Sequence, residues 1–309
     1  MPSCLYRNLN FKVFFMRFKI ALSLDFGTYG NVMPINYQYE LSSWIYHTLA
    51  KGDKEYAEWL HTNGFIYGTK KFKLFTFSNI KFGRHKIVGE RIMLYDREAE
   101  FFISFLPEKS TEKFIKGVFT SQQFQLGDRI SKICCNVSSV SAMPTPELYS
   151  VMIFKTLSPM VISGHLSNGK GTYISPESQD AGLRIYDNLC SKYYAYHGKP
   201  YLPDNVPYNP KTSGSSSSDS IPAKLIPAEQ ESISKGPILN EKEGVCLKIL
   251  SPLKRKKVTI KVGTPQQTYV IGFLCDFKIT LPKDLMKILY ETGIGEKGSL
   301  GFGMVESNY

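Results

Sequence analysis

Two consecutive helical patterns near the start of the chain carry side chains able to move protons. Between residues 34 and 50, Tyr37, Leu41, Trp44, Ile45 and Leu49 recur at helical spacing and make one apolar face. Tyr46 and His47 lie on opposite flanks of that face, well away from its centre. A second pattern covers Lys54 to Thr62, with Tyr56, Trp59 and Leu60 as its core face, Asp53 as N-cap and Asn63-Gly64 as its stop. His61 falls off that stripe, at the helix end, where a histidine gains favourable dipole contact without any function. A solvated or capping residue is the plain account of any one of these side chains. Together with a lysine they would suffice for RNA cleavage by the neighbouring 2′-hydroxyl. That reaction needs a group to take the hydroxyl proton, one to protonate the 5′-oxygen, and a cation for the phosphorane charge.

Cations are plentiful and locally unopposed. Residues 70–86 hold Lys70, Lys71, Lys73, Lys81, Arg84 and Lys86 with no acid, interleaved with Phe72, Phe75, Phe77 and Phe82. Residues 247–263 hold Lys248, Lys254, Arg255, Lys256, Lys257 and Lys261, again with no acid. Basic strands with aromatics suit RNA, with cations for phosphates and rings for stacked bases. Lysine on an edge strand also simply prevents aggregation. Near the C-terminus, Gly293-Ile294-Gly295 and Gly301-Phe302-Gly303 flank Glu296-Lys297-Gly298-Ser299-Leu300. Glycines there permit positive φ and close approach to a ligand, successive N–H groups could cradle an anion, and Lys297 adds a point charge. This loop follows a helical run and precedes a strand-like one. Dinucleotide and P-loop glycines have the reverse context.

The elements that must position these residues read as α+β. A strand from Phe18 to Phe26 precedes the two helices. Strands follow at Phe72–Phe77, Lys86–Tyr95, Ala99–Leu106 and Ile133–Val140, with a helix at Thr111–Phe119 before the last. Strand–helix–strand–strand–helix–strand is the ferredoxin-like order, shared with RNA-recognition folds. Pro144-Thr145-Pro146 marks a boundary. Beyond it the same order recurs: a strand at Val151–Leu157, a helix at Pro176–Tyr194, strands at Val245–Ile249, Lys257–Val262 and Thr268–Phe277, a helix at Leu281–Glu291, and a last strand at Phe302–Val305. Residues 203–245 lose periodicity and contain a Ser-rich run, reading as a flexible insertion. The division is therefore 16–145 and 146–309, with 1–15 an N-terminal extension.

Composition narrows the class. The chain has 309 residues, room for roughly two domains of ~150 each, and a net charge of +11 that favours polyanionic partners. Its six cysteines show no C-x-x-C and no zinc spacing, and read as reduced and structural. No apolar run reaches the ~18 residues of a membrane span, and the start lacks a signal-peptide pattern, so a cytoplasmic protein is expected. HExxH, G-x-S-x-G and paired-acid motifs are absent, and neither a metal nor another cofactor is expected.

Four blocks carry a resemblance: MRFKIAL from Met16, PINYQYELSSWIY from Pro34, EYAEWLH…KLFTFS from Glu55, and GIGEKGSLGFGMV from Gly293, with TLSPMVI from Thr156 weaker. The chain resembles the CRISPR-associated endoribonucleases that cut repeat RNA into guide RNAs, the Cas six family of the RAMP superfamily. The resemblance implies two tandem ferredoxin-like domains, with RNA bound across or between them. By the same likeness Tyr46 and His61 would share the acid/base work, with His47 a rival base, and Lys73 would stabilise the phosphate. Gly293, Gly295, Lys297, Gly301 and Gly303, with Lys254, Arg255, Lys256 and Lys257, would meet the RNA. Products would be a 2′,3′-cyclic phosphate and a 5′-hydroxyl. Implied partners are CRISPR repeat RNA and effector-complex subunits; the other reading is a non-catalytic RNA-binding subunit of such a complex.

Overall fold

The computed structural model describes residues 16–165, 171–202 and 246–307. The extension at 1–15 and the insertion at 203–245 lie outside the described residues. The first sheet is antiparallel, with strands in the order Gln123–Gly127, Lys132–Met143, Arg17–Asp25, Glu98–Phe105 and Phe75–Phe77; Lys81–Phe82 also pairs with Glu98–Phe105. Helices α1 (Gln38–Gly52), α2 (Lys54–Thr62) and α3 (Glu108–Thr120) accompany it. The apolar stripe of α1 is buried as its spacing requires. Trp44 stands edge-on to Phe101 of the sheet and Phe114 of α3, at 6.1 and 5.9 Å between ring centroids. Burying one such ring is worth ~1.5–3 kcal/mol, so this face defines the first core. Asp53 caps α2 as expected, its carboxylate accepting from the Tyr56 N–H at 3.0 Å.

The second sheet runs Cys246–Ile249, Asp276–Thr280, Val151–Thr156 and Val305–Ser307, with α4 (Ala181–His197) and α5 (Lys283–Thr292). Its strand–helix–strand–strand–helix–strand order repeats that of the first, so the chain is α+β with tandem ferredoxin-like units. Residues 144–149 join the two sheets without regular structure. The halves are in close contact. Leu74 and Leu106 enter the second core, and the buried Arg17 donates to the Val305 carbonyl at 2.6 Å while its guanidinium lies 3.7 Å from the centre of the Tyr290 ring.

Several strands depart from the sequence expectation. Phe72–Phe77 is not one strand: Leu74 adopts φ 53° and the chain breaks into Lys70–Phe72 and Phe75–Phe77. Lys86–Tyr95 is a hairpin, His85–Val88 with Arg91–Leu94, turned at Gly89. Thr268–Phe277 divides at Cys275, its first part pairing with Lys254–Ile260 in a separate hairpin and its second joining the second sheet. The strand at Gln123–Gly127 was not anticipated, and the final strand is Val305–Ser307 rather than Phe302–Val305. Trp59, assigned to a core face, is 38% exposed because α2 lies at the margin of the core. Cys134, Cys135, Cys190, Cys246 and Cys275 are all unpaired.

Candidate active site

Three segments far apart in sequence meet at one place. Tyr46 on α1 is half-buried and packs edge-on against Phe75, at 5.6 Å. It is therefore drawn further into the core than its position off the apolar stripe suggests, because the Phe75–Phe77 strand closes over that flank. The His61 ring meets Tyr46 edge-on at 5.0 Å and 89°. Its backbone carbonyl, with that of Leu60, accepts from the Lys73 ammonium at 2.6 and 2.5 Å. Lys73 thus caps the C-terminal carbonyls of α2 and stands beside His61. His47 is exposed, and its Nδ1 is 2.8 Å from the Ser43 carbonyl of its own helix.

The third segment is the glycine loop. Ser42 Oγ donates to the Ser299 carbonyl at 2.6 Å, which sets the Ser299 side chain beside Tyr46. Burial holds the Tyr46 phenol well above its ordinary range, and the neighbouring Ser299 hydroxyl only partly offsets this. Tyr46 therefore keeps its phenolic proton at neutral pH. Burial, then the neighbouring Lys71, lowers the Lys73 ammonium to about 8. Ser299 was missed by sequence reasoning, which treated it as a spacer within the loop.

The loop's glycines approach protein rather than open space. At Gly295, with φ +75°, an added Cβ would lie 2.2 Å from the Val161 carbonyl oxygen; at Gly303, with φ +76°, it would lie 2.1 Å from that of Ile294. Gly293 and Gly301 are likewise buried. The N–H groups of Ile294, Glu296 and Gly303 are taken by the carbonyls of Gly303, Val161 and Pro159, so these amides do not form the anion cradle expected of the loop. What faces solvent is the outer turn, where Lys297 is exposed and residues 298–300 are half-exposed. Gly303→Ala should cost at least ~1–3 kcal/mol from φ strain alone, read as a lower thermal midpoint; an unchanged midpoint would mean that the loop packs differently.

The two basic windows divide. Phe75 and Phe77 are fully buried, and Phe72 and Phe82 pack against the cores, so the first window offers no free aromatic ladder for stacking bases. Its strand is a core strand, and the alternation that looked like a stacking surface is inward packing. Lys81 and Arg84 are paired with Glu100 and Asp96. In the second window Lys254, Arg255, Lys256 and Lys257 are all exposed on the hairpin strand Lys254–Ile260. That hairpin rests through Val258, Ile260 and Val270 on a small core shared with Phe302 and Leu300 of the glycine loop and Tyr39 of α1. Basic strand, loop and the helix that carries Tyr46 thus meet in one small core.

Among the described residues no group of three or more His, Cys, Asp and Glu side chains is arranged to hold a metal ion, and no helix is long and apolar enough to cross a membrane.

Known proteins match along nearly the whole chain. The family description "CRISPR-associated protein Cas6, N-terminal" matches residues 32–134, and "CRISPR associated protein Cas6, C-terminal" matches residues 143–307. The CRISPR-associated endoribonuclease Cas6 1 of Methanocaldococcus jannaschii is 27% identical, over 94% of this chain and 92% of that protein. The CRISPR-associated endoribonuclease Cas6 of Pyrococcus furiosus is 26% identical, over 94% and 89%. A solved structure of a Cas6-related gene product from Pyrococcus furiosus shares the fold with a TM-score of 0.68 at 23% identity, covering 95% of this chain and 98% of that one.

Proposed function

The chain belongs to the Cas6 family of CRISPR-associated proteins, and on that premise we propose that it is an endoribonuclease that cleaves CRISPR precursor RNA within its repeats by a metal-independent route. The observation that carries the reading is the meeting of Tyr46, His61 and Lys73 beside the Ser299 turn of the glycine loop. The 2′-hydroxyl oxygen attacks phosphorus while His61, the exposed member, takes its proton. The bond from phosphorus to the 5′-oxygen breaks, leaving a 2′,3′-cyclic phosphate, and the 5′-oxygen leaves as a hydroxyl once protonated. Tyr46, which keeps its phenolic proton at neutral pH, gives that proton to the 5′-oxygen and is reprotonated from water once the products leave. Lys73 stabilises the phosphorane charge. Lys297 on the outer turn and Lys254, Arg255, Lys256 and Lys257 on the hairpin hold phosphates, while Gly293, Gly295, Gly301 and Gly303 shape the loop that presents them.

The test is cleavage of end-labelled repeat RNA in excess EDTA, beside the same RNA with a 2′-deoxy residue at each candidate position. A single cut abolished by one deoxy substitution is expected. Tight binding without cutting would make this chain a non-catalytic RNA-binding subunit.

A pH profile tests Lys73 separately. Its ammonium loses its proton near pH 8 in the free protein, so kcat/KM should fall as pH rises through that value. Lys73→Arg stays charged and should move this alkaline limb upward. An unchanged limb would assign it to another group.

A further inference from the structure

Apart from Arg17, Lys192 on α4 is the one Lys or Arg side chain buried below a tenth exposed among the described residues, at 5%. It occupies the apolar stripe set by Ile185 and Leu189, where an aliphatic residue would ordinarily sit. Its ammonium donates to the Gly293 carbonyl at 2.8 Å and to the Gly295 carbonyl at 2.9 Å. Both acceptors belong to positive-φ residues of the loop, where the backbone leaves helical and strand pairing. The loop is fixed further along by Glu296, whose N–H donates to the Val161 carbonyl and whose carboxylate accepts from Ser163 Oγ at 2.6 Å. Three residues later the Ser299 carbonyl accepts from Ser42 Oγ at 2.6 Å, one turn before Tyr46 on α1, and so sets Ser299 beside Tyr46. Burial lowers the Lys192 ammonium to about 7, with Glu296 opposing the shift. An amine buried at that cost must serve partners that an apolar side chain would leave unsatisfied, here the Gly293 and Gly295 carbonyls.

We propose that Lys192 is a positioning residue for RNA cleavage, tying the entrance of the glycine loop to α4 and so fixing where the loop presents Ser299 to Tyr46. The inference rests on the endoribonuclease reading for its consequence, though not for the tie itself. Lys192 touches neither Tyr46 nor any reacting group that the reading names. Removing it leaves two buried carbonyls without donors and lets the Gly293–Gly295 segment move.

The experiment uses the full chain and two readouts. Hydrogen–deuterium exchange of the peptide covering residues 292–305 reads the loop without any cleavage. In Lys192→Met that peptide should exchange about tenfold faster or more, while the Glu98–Phe105 strand is unchanged. At saturating RNA the single-turnover rate should fall by about 10- to 100-fold, the scale expected of a misplaced group, with little change in RNA affinity. Lys192→Gln keeps N–H donors without the charge and should recover part of both losses. It also carries the test should the Met variant fail to fold. The double variant with Ser299→Ala should cut no more slowly than Lys192→Met alone, because both act through one contact. Unchanged loop exchange would overturn the proposal, as would a loosened loop that still cuts at the full rate, or additive losses in the double variant. A parent protein that binds repeat RNA and cuts none would refute the endoribonuclease reading, and exchange would still decide whether Lys192 holds the loop.

Discussion

His61→Ala is expected to lower the RNA cleavage rate by about 10²- to 10⁴-fold, the usual contribution of a positioned acid or base, and to leave RNA affinity nearly intact. The structure makes this a clean substitution. His61 is exposed at the C-terminal end of α2, and its part in the fold is played by its backbone carbonyl, which accepts from Lys73 in any variant. The ring itself meets Tyr46 edge-on at 5.0 Å, outside the core, so its removal opens no core cavity. His47→Ala is the natural control. His47 stands next to Tyr46 in sequence, but its Nδ1 is engaged with the Ser43 carbonyl of its own helix. Single-turnover rates and filter-binding affinities of the two variants decide between them. Full activity in His61→Ala with a large loss in His47→Ala would move the base to His47 and detach Lys73 from the reaction.

How far the sequence disclosed this arrangement depended on whether each feature has a local cause. Helix α2 was legible because Asp53 supplies a capping carboxylate and Asn63-Gly64 ends it, with Gly64 at φ +63°. The stripe of α1 was legible because its spacing alone defines a face. The break at Leu74 was not: a leucine at φ 53° is held there by tertiary packing, and its side chain enters the second core rather than the first. The division at Cys275 was hidden for the same reason, since apolar residues continue on both sides of it, at Phe273, Leu274 and Phe277, and no Gly or Pro marks the break. The glycine loop was visible as a pattern. Its purpose was not, because the close approaches it permits are to Val161 and Ile294 within the protein. Lys192 did leave a trace, a lysine seven residues after Ile185 and three after Leu189 on an otherwise apolar face. Only the partners at Gly293 and Gly295, a hundred residues on, explain it. Ser299 left none, as a serine between glycines is an ordinary loop residue until Tyr46 is placed beside it.

Reversing two charges on the hairpin, Lys256→Glu with Lys257→Glu, should weaken RNA binding and flatten its salt dependence. Both lysines are exposed on Lys254–Ile260, and neither forms an ion pair among the described residues. They are thus unlike Lys81 and Arg84, whose acids already meet part of their charge. Successive strand residues point to opposite sides. Lys256 shares a side with Val258 and Ile260, which face the loop's core, and Lys257 lies on the other, with its ammonium 4.7 Å from the centre of the Tyr269 ring. Removing both therefore strips cations from two faces of one ribbon, and the inward anchors Val258 and Ile260 stay in place. Each phosphate left unneutralised makes the slope of log affinity against log salt shallower by ~0.7 on a single strand. If both lysines hold phosphates, a fourfold rise in salt should then cost the parent protein about sevenfold more affinity than the variant. The single-turnover rate at saturating RNA should change little, since the substitutions lie outside the Tyr46, His61 and Lys73 contacts. A shallower slope with a retained rate would mark the hairpin as a track for the RNA backbone. An unchanged slope would return these two lysines to solvent and leave Lys254, Arg255 and Lys297 to meet the phosphates.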